Sequence, residues 1–185
     1  MPSMTKRQID KFLAGPNIAR VATVKKNGAP FVVPVWYEWD GKDCYIVGRE
    51  TSSWMENIEN EPRVTILIDT DVWPTSKVVI EGEVEIVGRS AEDWVEIGKK
   101  MVKKYVGPGA GMSYLEGSLD QPRVTMRIKP VKITTWMDPD KKLLKKKPHL
   151  AWHPKYYAPG SRFDKAYAAE KKTNAKRKGS KPGGK

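Results

Sequence analysis

The sequence predicts a mainly β fold with flanking helices, and three observations predict it. Runs of β-branched and aromatic residues recur between turn signals. Two of those signals, Asn27-Gly28 and Asp40-Gly41, are pairs that tolerate positive φ and so close hairpins. Helical periodicity is confined to segments that begin with cap-like residues and end at Gly or Pro.

The elements follow in order. Thr5-Lys6-Arg7-Gln8 fits a capping box, Ile9, Phe12 and Leu13 share one apolar face, and Gly15-Pro16 ends this first helix. Residues 18–24 form a β-rich run. Residues 30–39 read as one long apolar and aromatic strand, and residues 44–47 as the next. That strand leads through Gly48-Arg49-Glu50-Thr51-Ser52-Ser53 into a short helix stopped by Pro62. Residues 63–69 are a strand, and 70–76 a loop containing Trp73-Pro74. Residues 77–87 alternate, with Ile80, Val84 and Ile86 on a buried face and Glu81, Glu83 and Glu85 on a solvated one. Ser90-Ala91-Glu92-Asp93 opens a helix whose Trp94, Ile97, Met101, Val102 and Tyr105 recur as a core-packing stripe. Residues 107–111 read as a flexible loop, because the lysine-hydroxyl ending of a phosphate loop is missing. Residues 122–129 and 131–136 are the last two strands, parted by Pro130. The strings Pro62-Arg63-Val64-Thr65 and Pro122-Arg123-Val124-Thr125 are identical, which similar local structure explains without a duplication.

The 185 residues are enough for one ordinary domain with a real core. No apolar run reaches membrane-spanning length and no secretory leader opens the chain, so a cytoplasmic location with no membrane partner is expected. The net charge of +12 is not spread evenly. Residues 1–138 hold 19 Lys+Arg and 19 Asp+Glu, which cancel; residues 139–185 hold 15 and 3. This composition divides the chain into a domain over 1–138, an extended arm over 139–157 able to dock, and a basic tail over 158–185, disordered or weakly helical.

A single cysteine, Cys44, excludes an intramolecular disulfide and any multi-cysteine metal site; within a strand it reads as a small buried apolar residue. The only histidines, His149 and His153, lie beyond the domain, so a core Ser-His-Asp triad is excluded. Pro148 and Pro154 also argue against a regular helix that would let the two histidines share a metal. No catalytic side chain and no metal site is therefore assigned. What stands out is a strand that delivers Gly48, Arg49, Thr51, Ser52 and Ser53 to a helix N-terminus, a set suited to an anion.

These pieces, in this order, resemble the FMN-binding split-barrel superfamily of pyridoxamine 5'-phosphate oxidase and the deazaflavin-dependent oxidoreductases. The matching stretches are 18–24, Asn27-Gly28-Ala29-Pro30, 32–41, Asn57 ahead of Pro62-Arg63-Val64, and 79–87 through Thr135-Trp136. The resemblance implies a split β-barrel, homodimeric, with FMN or a deazaflavin (coenzyme F420) in a groove between subunits. It implies that Val33, Pro34, Val35 and Trp36 lie along the ring system, that Gly48, Arg49, Thr51, Ser52 and Ser53 hold the phosphate, and that Val47 also borders the cofactor. Asn57 follows on the helix, and Trp136 approaches from the last strand. Where many members carry a basic residue three positions before the asparagine, this chain has Trp54, which offers the cofactor an indole in place of that charge. FMN, a deazaflavin and an empty site all stay open there.

The chemistry so implied is hydride transfer to or from a small organic substrate, with the protein supplying orientation and exclusion of water. Trp36 and Trp39 are equally readable as core aromatics, Ser52 or Ser53 as a simple helix cap, and Arg49 as a partner of Glu50. Two other functions are open. One is a non-catalytic cofactor carrier or binder of nucleic acid or another polyanion, through tail lysines and Trp152, Tyr156 and Tyr157. The other is haem binding through His149 or His153.

Overall fold

The computed structural model describes residues 3–138 and 141–179. The chain divides into two units: the larger is Ser3–Asp71 with Thr75–Trp136, and the smaller includes 72–74 and the chain from Met137 onward. The predicted boundary stretch Pro139-Asp140 and the last part of the tail, 180–185, lie outside the described residues.

The larger unit begins with α1 (Lys6–Leu13), closed by the Thr5/Gln8 capping box. Two strands follow, β1 (Ala19–Val24) and β2 (Pro30–Val35), then the short β3 (Tyr37–Trp39) and β4 (Cys44–Arg49). The hairpin glycines take the positive φ their turns require, 83° at Gly28 and 96° at Gly41. Next come α2 (Ser53–Asn60), β5 (Arg63–Asp69), β6 (Ser76–Gly88), α3 (Ala91–Tyr105), α4 (Pro108–Glu116) and β7 (Arg123–Met137).

The seven strands make one sheet in the order β2-β1-β5-β6-β7-β4-β3. Its registered pairs, β1 with β2 and β5, β5 with β6, and β4 with β3 and β7, are antiparallel. The long strand expected over 30–39 is in fact two strands interrupted at Trp36. β2 and β3 occupy opposite ends of the strand order, yet one residue joins them. The sheet must therefore curl until its two ends meet at Trp36, which makes it a barrel with a seam. Alternation along β1, β4, β5 and the first half of β6 points Val21, Ile46, Ile66, Ile68, Val78 and Ile80 inward, all fully buried.

Two further expectations are corrected. The stretch over 107–111 is not a loop but opens α4, with Pro108 in its first turn. Proline there loses no helical hydrogen bond, and Gly111 and Leu115 bury against α3. Residues 122–136 are one strand rather than two. β7 pairs with β4 only from Arg123 to Ile128, so Pro130 falls beyond that register and removes no donor from it.

In the smaller unit the arm is not extended. It contains α5 (Lys141–Lys146) and 3-10 turns at Pro148–Leu150 and Pro154–Tyr156. Within the region expected to be disordered or weakly helical, α6 (Arg162–Gly179) is a helix. Tyr157 fastens this unit: its hydroxyl donates to the His149 carbonyl at 2.7 Å, and its ring meets Phe163 edge-on at 5.6 Å. Among the described residues no helix is long and apolar enough to cross a membrane.

Candidate functional site

The barrel's bend creates a cavity of about 440 Å³. β2 contributes Val33, Pro34 and Val35 to one wall, and Trp36 stands at the break that follows. β4 contributes Val47, Gly48 and Arg49, the strand's last three residues. Beyond them Ser52 and Trp54, at the start of α2, reach the same space. Trp94, Met101 and Val102 from α3 and Tyr114 and Leu115 from α4 complete the lining with Ile18, Gly98 and Arg123.

Trp36 is held in place. Its ring stacks on Tyr105 with centroids 5.1 Å apart and planes 3° from parallel, and it meets Tyr114 edge-on at 6.1 Å. Tyr105 is anchored in turn, because its hydroxyl donates to the Asn17 carbonyl at 2.8 Å. Trp39, the other tryptophan of this segment, is 8% exposed and spends its indole N–H on Asp10 at 2.8 Å. The structure thus separates the two: Trp36 borders the cavity and Trp39 belongs to the core beside α1.

One part of the lining is cationic. Arg49 on β4 lies directly opposite Arg123 on β7. The Arg123 guanidinium sits 5.0 Å from the Trp94 ring centroid, a cation–π contact. Its Nε is buried without a hydrogen-bond partner among the described residues. Ser52 caps α2 by position, but its side chain makes no capping hydrogen bond. Trp54, in place of a basic residue, is buried over Gly48, where a Cβ would come within 2.9 Å of the indole. The indole thus occupies room beside the strand without offering a charge.

Nine of the expected binding residues therefore meet in one cavity, and four do not. Thr51 is exposed in the turn before α2. Ser53 and Asn57 border a separate depression with Lys25, Lys26 and Phe31. Asn57 is also engaged, since its side-chain amide donates to Thr23 Oγ1 at 3.0 Å inside the domain. Trp136 lies under Lys77, whose Nζ is 4.2 Å from the ring centroid, with its own N–H buried and unpartnered among the described residues. The physical reason is direction. Residues 51, 53 and 57 leave the α2 turn on sides other than that of 52 and 54, a choice that spacing along the sequence does not resolve.

Among the described residues, the buried titratable groups of the domain are engaged in packing and hydrogen bonds. Cys44 is fully buried, and burial pushes its thiol up to about 12. Burial also raises the Tyr37 hydroxyl, which donates to the Leu13 carbonyl at 2.9 Å. Burial lowers the Lys104 ammonium, which the Leu13 and Tyr37 carbonyls hold at 3.0 and 3.2 Å. These groups brace the barrel against α1 and α3. His149 Nε2 stands 3.9 Å from the Glu170 carboxylate, and His153 Nδ1 accepts the Lys155 N–H at 3.3 Å. They lie on separate short turns rather than on one helix.

Sequence reasoning missed the α3–α4 wall and Arg123. The helical stripe of Trp94, Met101 and Val102 was legible as core, and these residues are buried; the same side chains also face the cavity. The signal for Arg123 was its place in the repeated tetrapeptide, which puts an arginine at the entry of two strands.

A curled antiparallel seven-stranded sheet, broken at Trp36 beside an apolar cavity that two arginines also line, is a split-barrel fold. Residues 5–137 match the family described as pyridoxamine 5'-phosphate oxidase, and this chain belongs to that family. Among solved structures it is similar to protein Rv2991 from Mycobacterium tuberculosis, at 24% identity over 72% of this chain and 85% of that one, with a TM-score of 0.63. It is similar to an F420 reductase at 20% identity over 67% and 94% of the two chains (TM-score 0.52). It is also similar to HutZ, the haem storage protein of Vibrio cholerae, at 17% identity over 71% and 94% (TM-score 0.57). No curated protein matches.

Proposed function

We propose that this protein is a flavin- or deazaflavin-dependent oxidoreductase that transfers hydride to or from a small organic substrate, with the cofactor in the Trp36 cavity. One observation carries the reading: a slot with aliphatic and aromatic walls is also lined by two cross-strand arginines and a serine hydroxyl that makes no capping hydrogen bond. A flat conjugated ring with an anionic tail suits both parts. When bound, such a cofactor supplies the hydride chemistry itself. Val33, Val35 and Val47 would exclude water from the ring, Trp36 would orient it, and Arg49 with Ser52 would hold the anionic end. Family membership and the likeness to an F420 reductase support the same class.

The test is direct. Purified protein is titrated with FMN and with coenzyme F420, and any chromophore carried through purification is released and identified. Saturable binding of either, with a matching change in ring absorbance, is the expected result. A colourless protein that binds neither would defeat the proposal.

The cofactor groove is proposed to be completed by a second subunit over β2. That strand reads PFVVPV, holds no buried residue, and leaves Val32 58% exposed. Contiguous apolar surface of this kind is covered in stable proteins. Sedimentation is expected to give twice the monomer mass, and a charged residue at Val32 to return the protein to monomer.

A second reading rests on the basic character of α5 and α6, where lysines crowd segments KKLLKK and RFDKAYAAEKKTNAKRKG. Removing residues 158–185 is expected to abolish salt-sensitive binding of an oligonucleotide if this surface serves polyanions. Unchanged, salt-insensitive binding would eliminate that role and leave the tail as a solubilising segment.

A further inference from the structure

We infer that Arg49 and Arg123 form a two-guanidinium clamp for an anionic group, phosphate or carboxylate, on a molecule that fills the cavity. Only the identity of the molecule rests on the oxidoreductase reading; the clamp stands on the arrangement of the two strands. Directly opposed residues on antiparallel strands project to the same face, and like charges so placed repel. Among the described residues no carboxylate pairs with either arginine, although the barrel pairs its other arginines freely. Arg89 is bridged by Glu50 and Glu59 at 2.8 and 2.6 Å, and Arg127 by Glu85 at 2.6 Å.

The repeated tetrapeptide sharpens the contrast. Arg63 has the same neighbours in sequence as Arg123, and its guanidinium makes a two-point contact with Glu61 at 2.8 and 2.5 Å. Arg123 has Leu-Asp-Gln ahead of its proline instead, and turns against Trp94 inside the cavity lining. A buried guanidinium N–H without an acceptor is costly unless a ligand supplies one. Two planar donor forks carried by directly opposed residues of one lining, with the Ser52 hydroxyl that makes no capping hydrogen bond, match the several oxygens of a phosphate or a carboxylate.

Inorganic pyrophosphate and phosphate are the first probes, read as thermal shifts of the full chain. The wild type is expected to be stabilised by pyrophosphate, and Arg49→Met and Arg123→Met each to lose that shift. Arg123→Lys should recover only part of it, since a point charge cannot reproduce the fork; it also serves if the methionine variant does not fold. Arg63→Met, the control from the matching tetrapeptide, should retain the full shift. A wild type indifferent to both anions, or arginine variants that respond as the wild type does, would overturn the clamp.

A second arm identifies the source of the anion. FMN and riboflavin differ by the phosphate alone. If the clamp holds the cofactor, both arginine variants weaken FMN about tenfold or more and leave riboflavin unchanged. If FMN affinity is unchanged while the pyrophosphate shift is lost, the clamp serves the substrate's anionic group. Failure of every flavin and deazaflavin to bind the wild type would sink the oxidoreductase reading, while the pyrophosphate arm still decides the clamp.

Discussion

Gly82→Val is expected to destabilise the barrel by about 3 kcal/mol, the upper part of the usual range for forcing bulk into a packed site. Gly82 is buried in β6 opposite Val64, at the place where β7 crosses closest. A Cβ there would lie 2.6 Å from the Lys129 carbonyl oxygen and 2.9 Å from Ile128 Cγ2. The first of these is backbone in a paired strand, and Ile128 is fully buried, so neither can swing aside. Relief requires β6 and β7 to separate, which opens the curl that brings the barrel's ends together. For a chain of this length the loss corresponds to a fall in melting temperature of roughly 10 °C. Gly109→Ala is the matched control. It lies in α4 with open space around its missing Cβ, and should stabilise by a few tenths of a kcal/mol up to about 1 kcal/mol through helix propensity. A Gly82→Val melting point within about 2 °C of wild type would show that the close crossing is not what shapes the barrel.

Trp36→Ala is expected to reduce cofactor affinity by tenfold or more and to cost about 2 kcal/mol of stability. The ring carries two roles at once. It is stacked on Tyr105 at the junction of β2 and β3, and it presents an aromatic face to the cavity. Removing it takes away the stack, the edge contact with Tyr114 and packing against the Trp94–Val102–Leu115 cluster. Trp39→Ala provides the comparison. It should cost more stability, because it leaves a core cavity and removes one of the two partners of the Asp10 carboxylate, yet leave the affinity of the folded protein unchanged. Denaturation midpoints and cofactor titrations on both variants separate the roles. Equal affinity in wild type and Trp36→Ala would mean that the ring only closes the seam.

Much of the fold was legible because local chemistry and global structure agree. The Thr5/Gln8 and Ser90/Asp93 capping boxes formed where the sequence places them, and both hairpin glycines adopted positive φ. The strand pattern from 18 to 69 survived with one change, the break at Trp36. That break was not readable, because 30–39 is continuously apolar and local propensity offers no reason to stop. The reason is tertiary: a strand that belongs to both ends of a curled sheet has to change partners. α4 was missed for the same kind of reason. Its glycines disfavour a helix in isolation, and its burial against α3 supplies the stabilisation.

The candidate site divides in the same way. The resemblance to a known family, with the strand-to-helix turn after Gly48, pointed to nine residues that line one cavity, since neighbours along a strand and its following turn stay neighbours in space. Thr51, Ser53, Asn57 and Trp136 stand outside that cavity, and Arg123 was unseen, because side-chain direction and cross-strand register are set by packing between distant segments. The amino-acid order by itself determined which stretches become strands, turns and capped helices, and it separated a charge-balanced domain from a basic extension. Only the folded barrel decided that an arginine from β7 stands beside one from β4 and that Trp36, not Trp39, faces the cavity. Those outcomes depend on how the sheet curls, and curl belongs to the closed assembly of strands rather than to any one of them.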